Sequence, residues 1–307
     1  MTTITKDKAK SAGLSKKTKD TIFIIGMLAL PVLHFFVFYV YVNINSILMA
    51  FQLPTDGVKP IWSLENFKTI FVEFAQSNSL ILSALKNTLI FFFSGLLITL
   101  PLSILMCYFL YKRIAGYKIY RVIFFLPNII SASVIAVLFR YLIAGNGPIS
   151  VLYQLVGAKI PPFLSDSRYA LSTILFYTIF FGLGGNLILF SGAMTNIETS
   201  ILEAGKIDGV GMLGEIIYIV IPLIWPTLST VLIFNFIGIF NASGPILLFT
   251  RGAYDTYTIS YWIYDRVAFH NELNYPAAVG LFFTAIGAPI AILMRWLLTR
   301  NLDDVSM

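Results

Sequence analysis

Six apolar runs, each long enough to cross a bilayer, constrain this 307-residue sequence more than any other feature. They lie at about 21–43, 84–111, 119–143, 170–194, 217–241 and 276–299. A helix needs about 20 residues to span the hydrocarbon core. Only 12% of the residues are charged and 58% are hydrophobic, where a soluble domain carries roughly 25% charged residues. So little polar surface cannot cover a globule in water, and lipid has to be the solvent for most of the chain. The expected fold class is all-α, a polytopic membrane bundle of six transmembrane helices. Pro31, Pro101, Pro127, Pro222 and Pro226 lie in or near the runs. Neighbouring helices re-satisfy the backbone groups that proline frees, so these residues do not veto spans.

The formal net charge of +6 is distributed beside the apolar runs rather than in one patch. That is the pattern of topology signals and not of nucleic-acid binding. Residues 1–20 hold Lys6, Lys8, Lys10, Lys16, Lys17 and Lys19 with little apolar content. They read as a basic cytoplasmic tail. The run that follows is too long for a secretory signal and is closed by no small-residue cleavage site, which makes it an uncleaved first span. Lys112, Arg113, Lys118 and Arg121 crowd the link after the second run, and Arg295 and Arg300 close the last one. With six spans all of these fall on one side, and both termini face the cytoplasm. Residues 21–307 form a single transmembrane domain, since no loop is long enough for another.

The link at about 195–216 departs from this pattern. It carries Lys206 against Glu198, Glu203, Asp208 and Glu215. Glu203-Ala204-Gly205-Lys206-Ile207-Asp208-Gly209 reads as a short helical piece with charged and apolar faces. Gly209, Gly211 and Gly214 are expected to let the chain bend before the next span. Such a helix either docks its apolar face into a groove on a soluble partner or rests on the lipid headgroups.

Nine residues separate Gly209 from Ile219-Val220-Ile221-Pro222. The pattern E-A-A, three residues, G, nine residues, I-x-L-P resembles the signature of membrane subunits of ATP-binding-cassette importers. Glu203, Ala204, Gly209, Ile219 and Pro222 are in register, with Gly205 where alanine is usual and Ile221 where leucine is usual. The likeness extends to maltose-type sugar permeases. Ser63-Leu64-Glu65-Asn66-Phe67 resembles their outer segment before the second span, and Lys86-Asn87-Thr88-Leu89 the start of that span. Phe125-Leu126-Pro127 through Ser131 is similar to their third span, Gly145-Asn146-Gly147-Pro148-Ile149 to the outer turn after it, and Ala277 to Gly280 to the start of the last. Ser243-Gly244-Pro245 and Thr250-Arg251-Gly252 depart from the usual form of the outer loop. They look closer to oligosaccharide and complex-glycan permeases of Gram-positive bacteria.

The resemblance implies a pathway subunit in a bacterial cell membrane, not an enzyme. A second homologous permease would pair with it, and two cytoplasmic ATPase subunits would hold ATP and Mg. An extracellular binding protein would deliver the sugar, a di- or oligosaccharide. This chain would bind no cofactor itself. Glu203, Ala204, Gly205, Asp208 and Gly209 would form the helix that couples to the ATPase. Two alternatives remain open: an importer of the same class for a non-sugar solute, and a secondary carrier that needs no ATPase.

Other motifs carry less. Gly209-Val210-Gly211-Met212-Leu213-Gly214 matches the dinucleotide fingerprint in letters only, since no βαβ unit surrounds it. No phosphate-binding loop of the G-x-x-x-x-G-K-[ST] type occurs, so the chain is not itself the ATPase. No acid–histidine–nucleophile set and no metal-ligand spacing is apparent, and the single cysteine, Cys107, reads as a small buried apolar residue. Absence of an Asp or Glu relay inside the spans argues against a proton-coupled carrier. Recognition of a sugar needs amide and hydroxyl groups with aromatic faces. Asn128, Asn186, Asn235 and Asn241, with Tyr177 and Phe240, are candidates on the spans, and the same polar groups also serve interhelical hydrogen bonding.

Overall fold

The computed structural model describes residues 15–53 and 60–300. Most of this is helix, joined by loops and turns. The strands among the described residues are an antiparallel pair, β1 (Gln52–Leu53) with β2 (Ile61–Trp62), in which Gln52 faces Trp62 and Leu53 faces Ile61. The end of the bundle that holds the basic link 112–121 is termed the inner end.

The first helix, α1, runs from Lys16 to Ala50. It starts inside the segment read as a tail, and residues 1–14 of that tail lie outside the described residues. Ser15 caps it, its Oγ accepting from the Thr18 amide at 3.2 Å. Long lysine side chains reach back to water, so the helix need not stop where apolar sequence does. Phe35–Tyr41 is wound as a π-helix. None of the most apolar stretch of α1 is buried within the chain; only Ala50, at its outer end, is. A short helix α2 (Glu65–Ala75) lies across the outer end, and α3 (Leu80–Tyr111) descends to the inner end.

The third apolar run is not one straight span. It forms α4 (Tyr117–Ile129) and α5 (Ala132–Leu142), bent by 110°. Ile130 and Ser131 are extended, with ψ of 145° and 131°. Pro127 contributes to the break because it has no N–H for the carbonyl four residues back. A short helix, α6 (Pro148–Leu155), follows at the outer side. Gly147 precedes it, and any side chain there would meet the Tyr141 carbonyl at 2.1 Å. The fourth run, α7 (Ala170–Thr195), is interrupted between Gly182 and Leu187. At that interruption the backbone of Gly184 presses on α4 so closely that a Cβ would stand 2.1 Å from Asn128 Nδ2.

On the inner side α8 (Thr199–Ile207) leads to the fifth run, which is again bent. It forms α9 (Met212–Leu223) and α10 (Trp225–Ile237), 79° apart. Pro222 and Pro226 stand four apart around the bend, so the proline at 226 has no N–H to give the carbonyl at 222. Residues 238–241, expected inside this span, lie beyond the end of the helix. Two outer helices, α11 (Ile246–Phe249) and α12 (Ile259–His270), precede the last span, α13 (Asn274–Thr299). Among the described residues there are thus four candidate spans without a sharp bend, or six when each bent pair counts as one.

Three apolar clusters hold the bundle together. The inner one joins Ile104 and Cys107 of α3, Phe190 and Met194 of α7, Val220 of α9 and Val231 of α10. An outer cluster packs α5 and α7 on α11 through Phe139, Tyr177 and Phe249. The other gathers Ala50, Ile70, Ile81, Trp262 and Val279 from α1, α2, α3, α12 and α13.

Buried polar side chains pin the outer loops to these clusters. Asn66 Nδ2 donates to the carbonyls of Ala50 and Gln52, both at 3.0 Å, and so closes the open carbonyl end of α1. Asn87 Nδ2 donates to Asp255 O at 2.8 Å and Tyr257 O at 2.9 Å. The next residue, Thr88, accepts from the Ile259 amide at 2.9 Å. Arg251, Gly252, Tyr254 and Asp255 all have positive φ. A loop so wound holds its shape because the span beneath fixes it. Tyr257 adds a hydroxyl donated to Asp265 Oδ2 at 3.2 Å. Burial and the adjacent Asp265 carboxylate raise its pKa, which keeps it a donor.

Removing the Asn87 carboxamide leaves two carbonyls without their donor. Asn87→Ala is expected to destabilise the fold by about 2 kcal/mol and to make the 250–258 loop the first site of cleavage. Limited proteolysis and thermal unfolding of the purified protein would read both.

Candidate functional site

The inner helix α8 is built to present one face and anchor the other. Leu202 is buried in the inner cluster, and Gly205 is buried beside α9. A Cβ on Gly205 would lie 2.6 Å from Ile219 Cδ1. Glycine at this position therefore brings α8 against Ile219, and Gly205 sits on the inward face of the helix. Glu203, Ala204, Asp208 and Gly209 are exposed. Ile207, on the same outward side as Glu203 and Ala204, is 86% exposed. An apolar side chain at that exposure, flanked by Glu203, Lys206 and Asp208, is covered by nothing among the described residues.

Gly209 ends the helix. Its φ is +75°, its amide donates to Lys206 O at 3.1 Å, and the Val210 amide donates to Gly205 O at 2.9 Å. These two bonds make a Schellman cap, which requires a left-handed residue at this position and so favours glycine. Gly211 is extended as the residue that starts α9. Gly214, expected to help the chain bend, is instead helical with φ −62°. Its role is room, because a Cβ would stand 2.9 Å from Val210 Cγ1.

The return from α8 is fastened by charge. Glu215, one of the four acids of the inner link, is buried at the start of α9 and pairs with Lys112 at the end of α3. The Lys112 ammonium also lies 5.5 Å over the Tyr108 ring. A carboxylate at the threshold of an apolar run calls for a cation, and the basic link after α3 supplies it.

The six span residues expected to line a pathway fall into pairs around three cavities. Asn186 and Asn235 line one of about 370 Å³ beside Phe91, Phe92 and Gly95. Asn128 and Tyr177 line another of about 350 Å³ with Gly244 and Pro245. Phe240 and Asn241 line the third, about 590 Å³, against α13. Asn235 and Asn128 each donate Nδ2 to a carbonyl four residues back, at 2.9 and 3.2 Å. Asn186 and Asn241 make no side-chain hydrogen bond with the described residues. The Tyr177 ring is enclosed by Phe139, Phe181 and Phe249, with centroids at 5.1, 4.6 and 5.0 Å. Phe240 lies 4.8 Å from Phe283. Both aromatics thus spend much of their surface on the bundle itself. Among the described residues no group of His, Cys, Asp or Glu can hold a metal ion.

Residues 99–302, which include α8 and both bent spans on either side of it, match the family described as "Binding-protein-dependent transport system inner membrane component". The chain is 25% identical over 266 residues to the arabinooligosaccharides transport system permease protein AraP of Bacillus subtilis, an alignment covering 81% of this chain and 80% of that one. It is 28% identical to the lactose transport system permease protein LacF of Rhizobium radiobacter, covering 68% and 73%. To the sn-glycerol-3-phosphate transport system permease protein UgpA of Pectobacterium atrosepticum it is 30% identical, covering 74% and 77%. The fold is that of a chain in the crystal structure of a bacterial ABC transporter involved in the import of the acidic polysaccharide alginate. There the TM-score is 0.78 at 23% identity, over 94% of this chain and 98% of the other. The chain belongs to the family of inner-membrane components of binding-protein-dependent transport systems.

Proposed function

We propose that this chain is one of two permease subunits of an ATP-driven importer that takes di- or oligosaccharides from an extracellular binding protein and passes them inward by alternating access. The observation that carries the reading is α8, a helix clamped to the bundle by Leu202 and Gly205 and bare along Glu203, Ala204 and Ile207. A bare apolar strip between charges is suited to a groove on a soluble subunit. In this reading a pair of cytoplasmic ATPase subunits holds ATP and Mg, a second homologous permease completes the pathway, and both termini of this chain are cytoplasmic. Closure of the ATPase pair moves α8, and the Lys112–Glu215 pair carries the movement into α3. Glu203 and Asp208 lie at the ATPase contact. Gly205 serves the inward packing, and Gly209 the cap.

A sugar as cargo is supported by the arabinooligosaccharide and lactose relatives and by the cavity chemistry. The three cavities offer carboxamides, backbone and aromatic edges, and no Lys or Arg is among their lining residues. Neutral polyols suit such walls. A phosphate ester, as in the name of the glycerol-phosphate relative, would call for cations.

Copurification on this chain from native membranes, with ATPase assayed in the eluate, tests the reading. A second permease and an ATPase should come with it, and hydrolysis should rise with a sugar-loaded binding protein. Elution alone, with transport that needs no ATP, would refute it. Glu203→Lys should leave folding intact and lower the copurified ATPase and transport at least about tenfold, the loss expected when an interfacial charge is reversed. Gly205→Leu should instead lower the chain's own thermal stability, because it forces Ile219 aside; equal behaviour of the two variants would put both residues on one face. Glu215→Gln strands the Lys112 charge. It should destabilise by about 3 kcal/mol, with Lys112→Met restoring much of the loss.

A further inference from the structure

At the inner end, apart from the three pathway cavities and from the outward face of α8, lies a cavity of about 510 Å³. The end of α3, the first part of α4, the inner half of α7 and the first turn of α8 line it. Three cations line it, Lys112, Arg113 and Arg121. Lys112 is matched by Glu215. Arg113 and Arg121 have no carboxylate partner among the described residues. The nearby acid Glu198 is engaged by Ser200 at 3.3 Å and is not among the lining residues. The Arg121 guanidinium is steadied 5.7 Å over the Phe125 ring. Arg113 sits at φ 53°, a left-handed conformation that costs a non-glycine residue about 1–2 kcal/mol, in a turn closed by its amide on Leu110 O at 3.2 Å. Across the cavity stand hydroxyls of Ser191 and Thr199, over an apolar floor that includes Leu187 and Leu202.

A preference for cations on the inner side accounts for basic residues in this link. It does not account for two guanidiniums, exposed and without a carboxylate partner among the described residues, bordering one partly apolar cavity with hydroxyls. Guanidinium forks with hydroxyl donors are the chemistry that holds phosphoryl oxygens, and basic pockets between membrane helices take lipid head groups. We propose that this cavity binds a phosphoryl anion through Arg113 and Arg121, carried either by an anionic phospholipid or by free inorganic phosphate. Thr199 and Leu202 belong to α8, so an occupied cavity ties the 112–121 link to the inner helix and stiffens its seat. This consequence rests on the function proposed for α8; the binding does not.

The test uses the full-length chain purified in neutral detergent micelles, read by thermal unfolding. Phosphatidylglycerol is titrated against phosphatidylcholine, and in a second arm inorganic phosphate against chloride at equal ionic strength. A rise in Tm with phosphatidylglycerol alone supports the site with lipid as the carrier, and a rise with phosphate alone supports it with the free anion. Arg113→Gln or Arg121→Gln should weaken half-saturation about tenfold, the loss of one charge-assisted contact. Arg121→Lys keeps the charge and most of the shift, which guards against a variant that fails to fold. Lys118→Gln removes one charge from the first turn of α4 outside the cavity and should leave half-saturation unchanged. No shift in either arm, or a Lys118→Gln loss equal to that of Arg121→Gln, overturns the proposal.

Discussion

Inside a bilayer no water accepts the hydrogen bonds of an opened backbone, so every carbonyl and amide at depth must be satisfied by the chain itself. That constraint governs this structure. It makes most described residues helical, and it favours breaks where a neighbour packs on part of the opened backbone. The bend between α4 and α5 is such a place, with Phe124 O taking the Asn128 side chain at 3.2 Å and Gly184 pressed against it from α7. The interruption of α7 faces the break in α4. Two irregular segments thus meet at one level of the bundle, beside the cavities that Asn128, Asn186 and Tyr177 line.

In the function proposed above, the inner end answers a different demand, that of passing force to a partner without losing shape. α8 would not hold as an isolated nine-residue helix. It is held by Leu202 in the inner cluster, by the close approach at Gly205 and by the cap at Gly209. The chain that leaves it is fixed at once by Lys112 and Glu215. A movement imposed on the outward face therefore has a stiff route into α3 and α9. The outer end has no comparable lever. Its loops are bound down by Asn66, Asn87 and Thr88, which present a shaped surface rather than a moving one.

Several segments that resemble those of sugar permeases have physical reasons in the fold. The Asn-Thr pair after Lys86 is a double pin for a loop 168 to 171 residues away. Asn66 closes the end of α1, and Phe67 stacks on Phe51 at 5.1 Å. Gly147 is the residue for which no side chain has room.

The sequence by itself determined the solvent of the chain, the number and order of its apolar runs, and the inner link with its outward Glu203 and Asp208. Those properties are local, because hydropathy over about 20 residues is what a bilayer reads. Tertiary structure alone decided that two runs bend by 110° and 79°, that Gly205 faces inward, and that Glu215 is buried with Lys112. It also decided that Asn186 shares a cavity with Asn235 while Asn241 lies in another. Each of these depends on contacts between segments far apart in the chain. Sequence spacing records the face a residue occupies on its own helix, but not which helix comes to rest against it.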